Sequence, residues 1–218
     1  MTSSTLSHRA LANSALASLA TFPLIVVALH IVQRGQYHPL SEAVSELALG
    51  RAGWLMWIAF GAAGTGLICL GILHHRLVER SRTAPVLLAA AGLLAYVSAV
   101  FHADPESATT TTLHDEIHQT ASLIAFVSVI IAMFISSRRF RLDSRWQRLA
   151  RPTLIWAVCT LAALLLALAV NDSRFFGLGQ RIFIVAWLTW TIAVSAQARA
   201  IATGSIAIAS ESPEAVPA

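Results

Sequence analysis

The chain has 218 residues, of which 56% are hydrophobic and only 12% charged, and its mean hydropathy is +0.69. That much apolar length with so few charges excludes an ordinary soluble domain and identifies an integral membrane protein. The formal charge of +4 is carried by arginines flanking apolar runs, which follows from membrane topology and gives no basis for a nucleic-acid partner.

Six uncharged runs of spanning length follow one another: Ala10–Gln33, Ala52–Leu73, Thr83–Phe101, Gln119–Ser137, Pro152–Val170 and Ile182–Ala198. A membrane helix needs about 20 apolar residues, so the expected fold is all-α: a polytopic six-transmembrane-helix bundle. Residues 10–203 form the single membrane domain, preceded by a cytoplasmic N-terminus over 1–9 and followed by a disordered cytoplasmic tail over 204–218. Small residues such as Ala15 and Ala17 resemble a signal cleavage site, but the first apolar run continues to Val32, so it is expected to remain as a span. The short sixth run is expected to be lengthened by Arg181 and Arg199 snorkelling outward from its ends.

Between spans one and two, residues 36–50 read as a short interfacial helix, with Pro39 near its start and Gly50 just past its end. His38, Glu42 and Glu46 would share one stripe and Leu40, Val44 and Leu47 the apolar side. Span two carries Gly61, Gly64, Gly66 and Gly71, and span three Ala89, Ala90, Ala91 and Gly92, small residues that let helices approach closely. Trp54 and Trp57 suit an interfacial belt, whereas Trp187 and Trp190, deeper in span six, either line a cavity or fill space, the second being the favoured reading. Cys69 and Cys159 lie within apolar runs and read as packing residues.

Before span four, Thr112 and Asp115 have the spacing of a capping box, which starts a helix at Leu113. His114 and His118 then fall on one face of its first turns. Eleven arginines, including the six between Arg138 and Arg151, flank one end of the spans, and Arg34, Arg51, Arg174 and Arg181 flank the other. The positive-inside rule puts both termini in the cytoplasm of an inner (plasma) membrane protein, with the 1–2, 3–4 and 5–6 connections outside. His38, His102, His114, His118, Glu42, Glu46 and Asp104 all belong to this outer side.

The chain resembles the bacterial and archaeal membrane family named domain of unknown function 998. The resemblance rests on Tyr37-His38-Pro39, Ser45-Glu46-Leu47 through Gly50, Gly53-Trp54-Leu55, Phe101-His102-Ala103-Asp104-Pro105, His114 with His118, and Gly177-Leu178-Gly179-Gln180-Arg181. It runs from Leu24 to Ala198 and implies a six-helix bundle without implying an activity. One departure is that Ser-Glu-Leu reaches its glycine through Ala48-Leu49.

Chemically, His114 and His118 with His102 form a candidate ligand set for a divalent metal, zinc being favoured, with Asp104 or Glu46 as other third ligands. Glu42, Glu46 and Asp104 are the candidate catalytic acids and bases. Arg174, Arg181 and Ser45 are the candidate substrate-binding residues, the arginines for an anionic head group. Together they suggest a metal-dependent hydrolase or transferase that takes a lipid-like small molecule from the bilayer. The alternative is a non-catalytic sensor, transporter or assembly partner whose His and acid groups bind a ligand or respond to pH. The span centres carry almost no ionisable residue, which favours a site near the surface over a path through the membrane. The oligomeric state is not legible.

Overall fold

The computed structural model describes residues 3–105, 108–171 and 173–204, with side chains from residue 7 onward. Six helices account for most of it: α1 Ser3–Val32, α2 Leu55–Leu77, α3 Thr83–Val100, α4 Leu113–Phe140, α5 Gln147–Ala169 and α6 Phe176–Ala202. All six are long and apolar enough to cross a membrane. The expected disordered tail lies, apart from Gly204, outside the described residues.

Each helix packs on its neighbours in the chain, and α1 closes onto α6, so the bundle is a ring with α2 and α6 also meeting across its interior. Lipid-like solvation of the outer surface explains why Leu24, Ile31, Val86 and Ile155 are more than 60% exposed while Leu19, Leu70, Leu88 and Trp190 are fully buried. The small residues of spans two and three pack as their composition predicts. A Cβ on Gly92 would lie 2.6 Å from the Gly64 carbonyl oxygen, and one on Gly64 would lie 2.7 Å from that of Gly92, so the two backbones touch. Helix α4 starts where its cap places it: Thr112 Oγ1 accepts the Asp115 amide at 3.3 Å.

Two expectations change. Residues 36–50 form no extended amphipathic helix; only a 3-10 helix, Val44–Ala48, is present. Its Val44 and Leu47 are buried in the bundle rather than laid on an interface. The cause is competition for carbonyls. Tyr37 Oη donates to the oxygens of Glu42 and Ala43, Arg181 Nη1 donates to Glu42 O, and the Leu178 amide donates to Leu40 O, which draws these acceptors out of a helical ladder.

The second change concerns α6, which begins six residues before the apolar run, at Phe176. Its first turns are buried by the absence of side chains. A Cβ on Gly177 would lie 2.7 Å from Pro39 O, and one on Gly179 would lie 3.0 Å from Ala167 Cα. Arg181 therefore sits within the helix instead of snorkelling outward.

At the opposite end, Asp143 and Arg145 form an ion pair at 2.7 Å, and Arg145 Nη2 also donates to Leu77 O at 2.9 Å, tying the α4–α5 connection to the end of α2. Burial raises the Asp143 carboxyl, but hydrogen bonds from the Arg145 side chain and amide outweigh it and hold the group below its usual range.

Candidate functional site

The end of the bundle bearing the 3-10 helix, here the rim, is organised by Arg181. Its Nη1 donates to Glu42 O at 3.0 Å and Gly177 O at 2.7 Å, and its Nη2 donates to Tyr37 Oη and to His30 Nε2, the latter at 3.1 Å. His30 is fixed in the matching tautomer, because its Nδ1 donates to Val26 O at 2.6 Å and leaves Nε2 as the acceptor. Tyr37 is 7% exposed, and burial pushes its phenol up to about 12 against the opposing pull of the Arg181 charge. Two glutamines complete the seam: Gln33 Nε2 donates to Leu47 O and Arg51 O, and Gln180 Oε1 accepts the Val44 amide at 2.7 Å. This cluster joins α1, α6 and the 3-10 segment.

The candidate acids hold backbone. Glu42 Oε2 accepts the His38 amide at 3.1 Å, and Glu46, itself buried, accepts the Ala43 amide at 2.8 Å. Asp104 accepts both the amide and the hydroxyl of Thr112, at 2.7 and 3.0 Å, and its own amide donates to Asp115. The α3–α4 connection is built on these bonds.

The three candidate metal ligands divide. His102 and His114 stack with ring centroids 6.3 Å apart at the rim, and His102 Nε2 accepts the Trp57 indole N–H at 3.0 Å. His118 turns into the bundle, 4% exposed, where its Nδ1 donates to Phe101 O at 2.8 Å and Ser98 O at 3.1 Å and its ring meets Phe60 edge-on. Among the described residues, no group of three or more His, Cys, Asp or Glu side chains is placed to hold a metal ion. Arg174 lies over the Phe175 ring at 4.8 Å.

Inside the ring, beneath the rim, is a cavity of about 300 Å³. Its walls are apolar and aromatic, with Phe22, Phe60, Leu67, Phe126, Phe183 and Trp187 prominent. One end is polar but uncharged, formed by Ser45, Ser98, His118, Ser122, Asn171 and Gln180. The lining residues Gln119, Thr120 and Leu123 on α4, and Leu168 and Asn171 at the end of α5, are exposed, so the cavity opens sideways between these two helices. The mouth is mixed: Leu168, 51% exposed, and Leu123, 43% exposed, give it an apolar part, and Gln119, Thr120 and Asn171 a polar part towards the rim.

The model of the family described as protein of unknown function, DUF998, matches residues 16–197. The chain belongs to this family. No curated protein and no solved structure matches the chain.

In this DUF998 member, two of the nine candidate site residues, His118 and Ser45, line the cavity. Glu42, Glu46 and Asp104 do not line it, nor do His102, His114, Arg174 and Arg181. Tyr37 and Gln180 stood within the motifs noted in the sequence, but their place in the seam, like that of Gln33, was not expected; Trp187 lies in the wall, the less favoured of the two readings of that residue. The indole N–H of Trp187 is buried without a hydrogen-bond partner among the described residues. The signal for the seam was present in the polar residues of Gly177-Leu178-Gly179-Gln180-Arg181, an uncharged amide and a cation placed where a span begins. For Trp187, a tryptophan in an apolar run does not show from sequence whether it lines a cavity or, like the fully buried Trp190, fills space.

Proposed function

We propose that this protein binds a lipid-like amphiphile, taken laterally from the extracytoplasmic leaflet into the cavity between α4 and α5. The observation that carries this reading is the cavity itself: apolar walls, a polar end at the rim, and a mouth that faces lipid. Pockets for small molecules begin at about 300 Å³ and combine apolar walls with a few placed polar groups. Binding is favoured over hydrolysis because Glu42, Glu46 and Asp104 already accept backbone amides that hold the rim together.

The test is mass spectrometry of lipid co-purifying with the protein from membranes. One bound species is expected. It should be lost in Ala125→Phe, which fills the cavity, and in Leu123→Trp, which narrows the mouth from an exposed position where folding tolerates bulk. Equal lipid in wild type and both folded variants overturns the reading. Metal analysis of the same preparation addresses the zinc expectation: stoichiometric zinc, lost in His114→Ala, would move the site to the rim histidines and favour a metal-dependent hydrolase.

A further inference from the structure

We infer that the cavity selects an uncharged lipid whose polar end is a hydroxyl, with a further oxygen acceptor down its length, and rejects phosphate and carboxylate head groups. This rests on the amphiphile-binding reading and specifies the chemistry of its ligand. Among the described residues, no Asp, Glu, Arg or Lys side chain lines the cavity. Arg181, next to the lining residue Gln180, does not line the cavity and spends both terminal nitrogens on Glu42 O, Gly177 O, Tyr37 and His30, leaving only its buried Nε without a partner among the described residues. An ionised head group would enter low-dielectric surroundings without a counter-charge, which is strongly unfavourable.

Two buried groups remain to recognise a neutral one. The partners of His118 Nδ1 are both carbonyl oxygens, so Nδ1 carries the proton. In the neutral ring Nε2 is then an acceptor. It has no hydrogen bond within the protein among the described residues, and the side chain lines the cavity. Trp187, 6% exposed, supplies the complement, a donor with no acceptor among the described residues. His118 is the sixth residue of α4 and Trp187 the twelfth of α6. At about 1.5 Å rise per residue they lie about 7.5 Å and about 16.5 Å along their helices, so the acceptor is near the rim and the donor deeper in the bundle. A ligand hydroxyl would donate to His118 Nε2, and a carbonyl or ether oxygen further along would accept from Trp187 Nε1.

The experiment is competition between 1-monooleoylglycerol and oleoyl lysophosphatidic acid for the full-length protein, read by native mass spectrometry. These two probes share the acyl chain and ester and differ in the phosphate. The expected result is at least tenfold preference for the glycerol ester. Trp187→Phe keeps an aromatic side chain but removes the indole N–H together with the five-membered ring that bears it, and His118→Asn keeps a donor for the two carbonyls while removing Nε2. Each should weaken monooleoylglycerol binding about tenfold, the equivalent of one hydrogen bond, with the melting temperature retained. Equal binding of the two probes, or unchanged affinity in both folded variants, overturns the inference while leaving amphiphile binding intact. Absence of binding by either probe in a preparation that also lacks co-purified lipid overturns both.

Discussion

Replacing Tyr37 with Phe isolates what the rim seam contributes, because the ring is kept and only the hydroxyl is lost. Its packing survives: the edge contact with His30 at 5.2 Å and the Arg181 guanidinium 5.4 Å from the ring centroid both persist in Phe. The carbonyls it serves keep other donors, since Glu42 O still receives Arg181 Nη1 and Ala43 O still receives the Glu46 amide at 3.1 Å. What disappears is one neutral hydrogen bond and one from a guanidinium, about 1 and about 1.5–3 kcal/mol respectively, so a net loss of about 2–3 kcal/mol is expected after allowing for the retained partners.

Unfolding of the detergent-solubilised protein in SDS mixed micelles measures this loss. A loss below about 0.5 kcal/mol would refute the idea that the hydroxyl clamps the 3-10 segment to α6. The same side chain predicts an alkaline limit. The Tyr37 phenol titrates at about 12 in the fold against an ordinary 10, so the neutral form is favoured in the folded state. Its contribution is intact below pH 10 and is lost as pH rises towards 12. Two pKa units correspond to about 2.7 kcal/mol. With Tyr96→Phe leaving Tyr37 as the sole tyrosine, ultraviolet titration should give a midpoint near 12. Tyr37→Phe should lack the alkaline destabilisation.

Helix packing and the far end of the bundle give two further expectations. Gly92→Ala places a methyl 2.6 Å from Gly64 O and 2.7 Å from Ile68 Cγ1, and should cost about 1–3 kcal/mol in the same unfolding assay. Gly61→Ala, whose nearest contact is Tyr96 Cε1 at 3.6 Å, should be neutral, and equal costs at the two sites would contradict close backbone approach as the cause. Asp143→Asn should lower stability by about 1–3 kcal/mol at neutral pH by weakening the hold of Arg145 on Leu77 O. Because the folded Asp143 carboxyl lies below its usual value, the wild-type advantage exists above about pH 4 and is lost as pH falls through the depressed value. Melting curves of the two proteins should converge in acid, and a constant gap down to acidic pH would disprove the assignment.

The parts of the fold that depend on local pattern were legible. Apolar runs located all six helices, the spacing of Thr112 and Asp115 placed the start of α4, and glycines in spans two and three marked where backbones meet. The misreadings share one physical source, which is that side chains far apart in sequence decide where carbonyls point. Nothing within residues 36–50 reveals that Arg181, 139 positions after Glu42, will take the Glu42 oxygen. For the same reason the start of α6 was hidden, since its first turns are stabilised by what their glycines lack.

The candidate site was half readable. Polarity alone does not separate a group facing a cavity from one holding a loop. Ser45 and His118 face the cavity, whereas Glu46, one residue after Ser45, binds a backbone amide.

A doorway between α4 and α5 that faces acyl chains also changes what concentration means for this protein. Occupancy would follow the mole fraction of ligand within one leaflet, so a sparingly water-soluble compound could saturate the cavity while nearly absent from the surrounding water. Diluting the membrane with inert lipid would empty the site, and adding buffer would not.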